Sequence, residues 1–155
     1  KGCLLMKINP FIKLLGSGIY TGYIPYASGT FGSLAALFIY LIPGFESHYV
    51  LLPAIIVISV AGIFIGNQFE DQYGKDPKQC TIDEFAGTWI SFILIPKNTE
   101  WIITVFIIWR ILDIIKIYPA NISERLKGGL GIMLDDIISG IYALLLSYFL
   151  LLFFN

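Results

Sequence analysis

The sequence predicts an all-α protein: a polytopic membrane bundle of about five hydrophobic helices, the first and third of them short. Three observations predict it. Of the 155 residues, 57% are hydrophobic, above the roughly 45–50% apolar content of ordinary soluble domains. Only 14% are charged, against about 25% in such domains, and the mean hydropathy is +0.79. The charges are also unevenly spread. None lies between Lys13 and Glu46, only the titratable His48 lies between Glu46 and Glu70, and none follows Asp136 among the remaining side chains.

A spanning helix needs about 20 mainly apolar residues, because each adds only about 1.5 Å across a core about 30 Å thick. The first apolar segment, residues 31–42, is short and runs into Pro43-Gly44. The second, residues 49–69, reaches spanning length. The third, residues 84–95, is short and stops at Pro96. The fourth, residues 101–118, is interrupted by Arg110, Asp113 and Lys116, and the fifth, residues 137–154, again reaches spanning length. No repeat or composition break divides the chain, so residues 1–155 read as a single domain. Lys1, Lys7 and Lys13 precede an apolar segment, but the small residues Ala27-Ser28-Gly29 come before that segment rather than after it, so no cleavable signal is expected.

Composition also excludes. A net charge of -1 argues against a nucleic-acid partner. Cys3 and Cys80 are far apart and imply neither a disulfide framework nor a four-ligand zinc site. One histidine, His48, leaves little histidine chemistry.

The connecting segments fall into two sets. The N-terminal arm and the loops at 69–82 and 119–131 carry Lys1, Lys7, Lys13, Lys75, Lys78, Arg125 and Lys127. The segments 43–48 and 96–100, with the terminal Asn155, carry Lys97 as their only lysine or arginine. If all five helices cross, the sets lie on opposite faces and the positive-inside rule places the basic set in the cytoplasm. Asp76, Asp83, Glu84, Asp113, Lys116, Asp135 and Asp136 then all approach one membrane face, with the polar run Ser28-Gly29-Thr30-Phe31-Gly32-Ser33.

Four constellations carry the candidate chemistry. Steps of three place Arg110, Asp113 and Lys116 on one helical face, and charges inside a membrane are functional candidates by default. A compensated ion triad with Lys116 reaching for water would use the same residues. The glycines of Gly128-Gly129-Leu130-Gly131 precede Asp135-Asp136. Backbone N–H groups there suit an anion, and adjacent carboxylates suit Mg²⁺. Asp135 and Asp136 point about 100° apart on a helix, which implies different roles. Asp76, Asp83 and Glu84 ahead of Gly87 suit either metal binding or helix capping, with Thr81 or Asp83 as the cap. Gly16-Ser17-Gly18 and the run from Ser28 to Ser33 suit either a phosphate cradle or tight turns.

Several phosphate chemistries are excluded. Lys75 is followed by Asp76, so there is no phosphate-binding Gly-Lys-Ser/Thr loop. Neither cysteine is followed by an arginine six residues on, and no Asp-x-Asp pair is present. With His48 expected on the opposite face, neither a two-histidine lipid phosphatase nor a Ser–His–Asp set can be assembled. Carboxylates, one lysine and one arginine remain, an inventory that suits Mg²⁺-assisted chemistry on an anion.

The order Gly16-Ser17-Gly18, Gly29-Thr30-Phe31-Gly32-Ser33, Asp83-Glu84-x-x-Gly87-x-Trp89, Arg110-x-x-Asp113-x-x-Lys116-x-x-Pro119 and Gly128-Gly129-x-Gly131-x-Met133-x-Asp135-Asp136-x-x-x-Gly140 resembles the phosphatidylglycerophosphatase A family. The resemblance covers residues 15–142. It departs at Ser28, where the family usually has Pro, at Lys116-Ile117-Tyr118-Pro119 in place of Lys-Pro-x-Pro, and at Glu124-Arg125 in place of Asp-Arg. The resemblance implies a Mg²⁺-dependent phosphatase of the bacterial inner membrane that converts phosphatidylglycerophosphate to phosphatidylglycerol.

The resulting expectation is an active site at the cytoplasmic interface. Asp83, Glu84, Asp113, Asp135 and Asp136 form its catalytic set, and Asp83, Glu84, Asp135, Asp136 and Asp76 supply Mg²⁺ ligands, with Asp113 a further candidate. Lys116, Arg110, Thr30, Gly29, Ser33 and Gly129 hold the phosphate. The partner is a phospholipid in the bilayer; no nucleic acid is expected, and an oligomer is compatible but not predicted. The alternatives are a phosphatase for an isoprenoid phosphate or phosphatidate, and a small transporter or ion-binding subunit using Arg110, Asp113 and Lys116 as a relay.

Overall fold

The two apolar segments of spanning length become the two longest helices. A computed structural model describes residues 8–123 and 125–154. Lys1, Cys3, Lys7, Glu124 and Asn155, which figured in the reading above, lie outside the described residues. Within them the chain forms seven α-helices and one short 3₁₀ turn, with no strand.

The helices are α1 (Pro10–Gly16), α2 (Ser28–Tyr40), α3 (His48–Tyr73), α4 (Ile82–Ser91), α5 (Thr99–Ile115), α6 (Ala120–Ser123) and α7 (Gly129–Phe154). The 26 residues of α3 and of α7 extend about 39 Å at 1.5 Å per residue. Both are long and apolar enough to cross a membrane by length and composition. Phe64, Val57, Phe149 and Phe153 on these helices are exposed, an outward apolar surface of the kind a lipid-embedded bundle presents. The expected short helices are short: α2 has 13 residues and α4 has 10, about 20 and 15 Å.

Two boundaries differ from expectation for identifiable reasons. α5 ends at Ile115 rather than near Tyr118, because Lys116 turns left-handed (φ 48°) and donates its N–H back to the Leu112 carbonyl at 2.9 Å. α7 starts at Gly129, about two turns before the apolar run, because its first turns are polar and glycine-rich yet still helical.

Paired contacts give the helix directions. Ser33 meets Glu84, Trp89 Nε1 donates to the Ala36 carbonyl at 2.9 Å, and Tyr40 stacks on Phe92 with ring centroids 4.7 Å apart. These partners advance together, so α2 and α4 run parallel. A Cβ on Gly66 would lie 2.6 Å from Gly129 Cα, and one on Gly62 would strike the Met133 side chain. The order is reversed, so α3 and α7 are antiparallel. Trp109 packs against Gly87 while Arg110 meets Glu84, which sets α5 antiparallel to α4. The starts of α2, α4 and α7 and the ends of α3 and α5 therefore share one end of the bundle. At the other end Lys97 Nζ bonds Glu46 at 2.7 Å and the Ile42 carbonyl at 2.9 Å, and that hydrogen bond holds the Glu46 carboxyl below its usual range.

α4 is the centre. Every residue of it except Asp83 is buried, by α2, α3, α5 and α7. Its outer half joins Phe85, Trp89 and Ile90 to Ala36, Tyr40, Leu51 and Val105. Ile82 and Ala86 join Ile65, Phe69, Ile132 and Met133. An acid in the first turn of such a helix is carried into the interior with it.

Candidate active site

Glu84 is that acid. It occupies the first turn of α4 and is 8% exposed. One turn further on, Gly87 touches Gly140 of α7: a Cβ on Gly140 would sit 2.7 Å from the Gly87 carbonyl oxygen. Glycines let the two backbones approach this closely. One turn before Gly140 is Asp136, 3% exposed. From α5, the six-membered ring of Trp109 packs against Gly87, and one turn beyond it Asp113 arrives, 6% exposed. A carboxylate oxygen from each of Glu84, Asp113 and Asp136 lies within 4.8 Å of the other two.

Three acids so placed need cationic compensation, because taking a carboxylate out of water costs several kcal/mol. Arg110 supplies part of it. Its Nη1 pairs with Glu84, with Asp113 Oδ2 at 2.9 Å, and with Ser33 Oγ at 2.9 Å. Ser33 Oγ in turn donates to Glu84 Oε2 at 2.6 Å. Arg110 Nη2 donates to Thr30 Oγ1 at 3.4 Å. Gly29 leaves room for this, since a Cβ there would run into the Glu84 carboxylate. The first turn of α2 thus lines the acid group.

Asp135 and Asp136, adjacent in sequence, meet different partners. Asp136 joins Glu84 and Asp113, whereas Asp135 Oδ2 pairs with Lys116 Nζ. The left-handed turn at Lys116 carries this side chain towards α7. Asp83, partly exposed, accepts the Glu84 N–H at 3.0 Å. Asp76 is exposed, in the loop before α4, and lines a surface cleft with Asp135, Glu70, Lys75 and Gly128. Asp76, Asp83 and Asp135, expected as metal ligands, are thus outside the tight trio, which takes Asp113 in their stead. Thr81 stands at the N-cap of α4 without a capping side-chain bond; its hydroxyl lies 3.2 Å from that of Thr21.

Gly129, expected to help hold the phosphate, has its N–H engaged by α3. Its N–H donates to Asn67 Oδ1 at 2.8 Å, and that of Gly128 to Glu70 Oε2 at 2.6 Å. A Cβ on Gly129 would collide with the Ile63 carbonyl. These glycines pack α7 onto α3, and their N–H groups are taken. Likewise Ser17 Oγ donates to the Lys13 carbonyl at 2.6 Å, closing the turn after α1. Neither Asn67 nor Glu70 was expected at the site from the sequence; an amide and an acid three residues apart at the polar end of an apolar helix were the available signal.

The trio fits a divalent cation. Its donors are all oxygen, as Mg²⁺ and Ca²⁺ prefer, and Asp136 Oδ2 is buried without a hydrogen-bond partner. Such an orphan is costly unless something electropositive reaches it. A helical bundle with buried carboxylates, an arginine and a lysine gathered at one end has the equipment of a phosphoric monoester hydrolase. The comparison with known sequences is specific. The family model for phosphatidylglycerophosphatase A matches residues 14–151. The chain belongs to that family.

Two of three individual relatives carry the same name. Phosphatidylglycerophosphatase A of Escherichia coli is 36% identical, over 94% of this chain and 86% of that protein. The Haemophilus influenzae phosphatidylglycerophosphatase A is 31% identical, over 91% and 88%. A Bacteroides thetaiotaomicron protein, provisionally named a phosphatidylinositol-3-phosphatase, is 34% identical over 91% of this chain and 94% of its own length. No solved structure matches.

Proposed function

We propose that this protein is a Mg²⁺-dependent phosphatidylglycerophosphatase embedded in a bacterial inner membrane, with its acidic end at the cytoplasmic face. The observation that carries the reading is the convergence of Glu84, Asp113 and Asp136 from three helices beside Arg110 in a chain of this family. Glu84, Asp113 and Asp136 would hold Mg²⁺, which would supply positive charge to offset the negative charge that develops on the phosphoryl group.

The protein's own groups do the rest. Phosphate monoesters resist water so strongly that accelerations up to about 10²¹ are required, and most of that comes from positioning and charge. Arg110, reaching towards Thr30 with Nη2, and Lys116, held by Asp135, bind the phosphoryl oxygens. Asp83, the partly exposed acid, orients the attacking water and takes its proton. Water oxygen bonds to phosphorus, the ester P–O bond breaks, and the proton taken up by Asp83 passes to the departing alkoxide, which leaves as the free alcohol. The acyl chains remain among the exposed apolar side chains of α3 and α7, so only the headgroup enters.

The test is phosphate release by purified protein in mixed micelles across a Mg²⁺ titration. Phosphatidylglycerophosphate is expected to turn over fastest, with activity abolished by chelation and restored by Mg²⁺. No release at any Mg²⁺ concentration defeats the assignment. The Bacteroides relative favours one second reading, a phosphatidylinositol phosphate as substrate. Faster turnover of that lipid than of phosphatidylglycerophosphate, phosphatidate or an isoprenoid phosphate would establish it. Reagents confined to one side of sealed vesicles, reacting with cysteines placed in the 74–81 and 96–98 loops, test the orientation.

A further inference from the structure

The structure assigns to Asn67 and Glu70 of α3 a positioning role: they clamp the start of α7 so that Asp135 and Asp136 face Lys116 and the acid group. This inference rests on the proposed phosphatase reading but concerns residues that reading leaves unused. Asn67 and Glu70 are one turn apart, on one face of the last two turns of α3. Asn67 Oδ1 accepts from Gly129 N at 2.8 Å and Glu70 Oε2 from Gly128 N at 2.6 Å. The first N–H groups of a helix have no partner within it. Here they are satisfied from a neighbouring helix rather than by the chain's own cap, which ties the register of α7 to α3.

The glycines make the clamp tight. Gly66 abuts Gly129 Cα, and side chains at Gly128 or Gly129 would collide with the Asn67 side chain or the Ile63 carbonyl. Gly128 takes φ 74°, where an L side chain is strained. From this anchor Asp135 and Asp136 follow about two turns along α7. A rotation of α7 by one residue, about 100°, would turn Asp136 away from Glu84 and Asp113 and put Asp135 in its stead. Glu70 also lines the cleft that Asp135 borders. Removing groups that orient metal-binding or catalytic side chains commonly costs 10–100-fold.

The experiment uses the full chain in detergent. Asn67→Ala/Glu70→Ala is expected to lower kcat for phosphate release by about tenfold or more, with KM within about twofold, and to weaken Mn²⁺ binding by about tenfold. Glu70→Gln, which keeps a carbonyl acceptor for Gly128 N–H, is expected to retain most of the activity. Equal loss in Glu70→Gln and Glu70→Ala overturns the proposal, as does a folded double variant with wild-type kcat and Mn²⁺ affinity. If the double variant does not fold, Asn67→Ala alone decides, with the same criteria. A wild type that releases no phosphate defeats the proposed function, and Mn²⁺ affinity of the variants still decides the clamp.

Discussion

Gly87 and Gly140 meet backbone to backbone, and their contact sets the distance between Glu84 and Asp136 one turn away. A Cβ on Gly140 would stand 2.7 Å from the Gly87 carbonyl oxygen and 3.0 Å from Gly87 Cα. Both obstructions are backbone, which cannot swing aside. Gly140→Ala is therefore expected to destabilise the bundle by about 1–3 kcal/mol, the usual cost of overpacking, and to lower phosphate release more than stability alone explains. Thermal unfolding in detergent and single-turnover assays below the unfolding range check both parts. A neutral Gly140→Ala would show that the two helices can separate without cost.

The carboxylate trio is tested residue by residue. Glu84→Gln, Asp113→Asn and Asp136→Asn preserve shape and remove one charge each. Each is expected to reduce phosphate release by about a hundredfold, the scale seen when a single preorganised electrostatic group is lost. Near-normal turnover in all three would remove the site from consideration. Asp76→Asn, an exposed residue outside the trio, is expected to lose far less.

The Lys116–Asp135 pair is asymmetric: the lysine side chain is 25% exposed and the aspartate 5%. Lys116→Met leaves Asp135 buried with its main cation gone, which is expected to cost about 1–3 kcal/mol after allowance for the partial exposure. Asp135→Asn in the same chain relieves that burial, so the double variant should be more stable than Lys116→Met alone. A double-mutant cycle by chemical unfolding measures the coupling; strict additivity would contradict the pairing.

Cys80 lies in the loop ahead of α4, 6% exposed. Burial pushes its thiol up, and the charge of Asp83 adds to the effect. Because the thiolate is the reactive form, a raised pKa leaves less of it at pH 8 than an exposed cysteine has. Alkylation of Cys80 in the folded protein is expected to be about tenfold slower than after denaturation in detergent, read by peptide mass spectrometry. Equal rates would mean that this loop opens freely.

Much of this arrangement is legible in one sequence. The two apolar runs of spanning length mark α3 and α7, and the spacing of Arg110 and Asp113 marks the face that α5 turns inward; Lys116, expected on that same face, lies past the end of α5 and reaches Asp135 from a left-handed turn. What sequence does not carry is partner choice. Asp83 and Glu84 read alike, yet α4 buries Glu84 and leaves Asp83 at the edge, because Glu84 alone lies on the side covered by Ser33 and Arg110. Asp135 and Asp136 can be assigned different directions from the helical step, but not which of them meets Lys116. Gly128 and Gly129 invite reading as an anion cradle, since the Asn67 and Glu70 that occupy their N–H groups lie about sixty residues away.

The depth of the acid group along α7 has a consequence for what can be hydrolysed. Asp136 lies seven residues after Gly129, where α7 begins, about 10 Å along the axis. In the proposed orientation, with that first turn at headgroup level, the carboxylates would lie near the level where fatty chains begin. A phosphate tethered to a glyceride arrives at this height by lateral diffusion alone. A water-soluble ester would have to sink against the pull of its own hydration, so in that placement the offset would discriminate between the two before any headgroup contact is made.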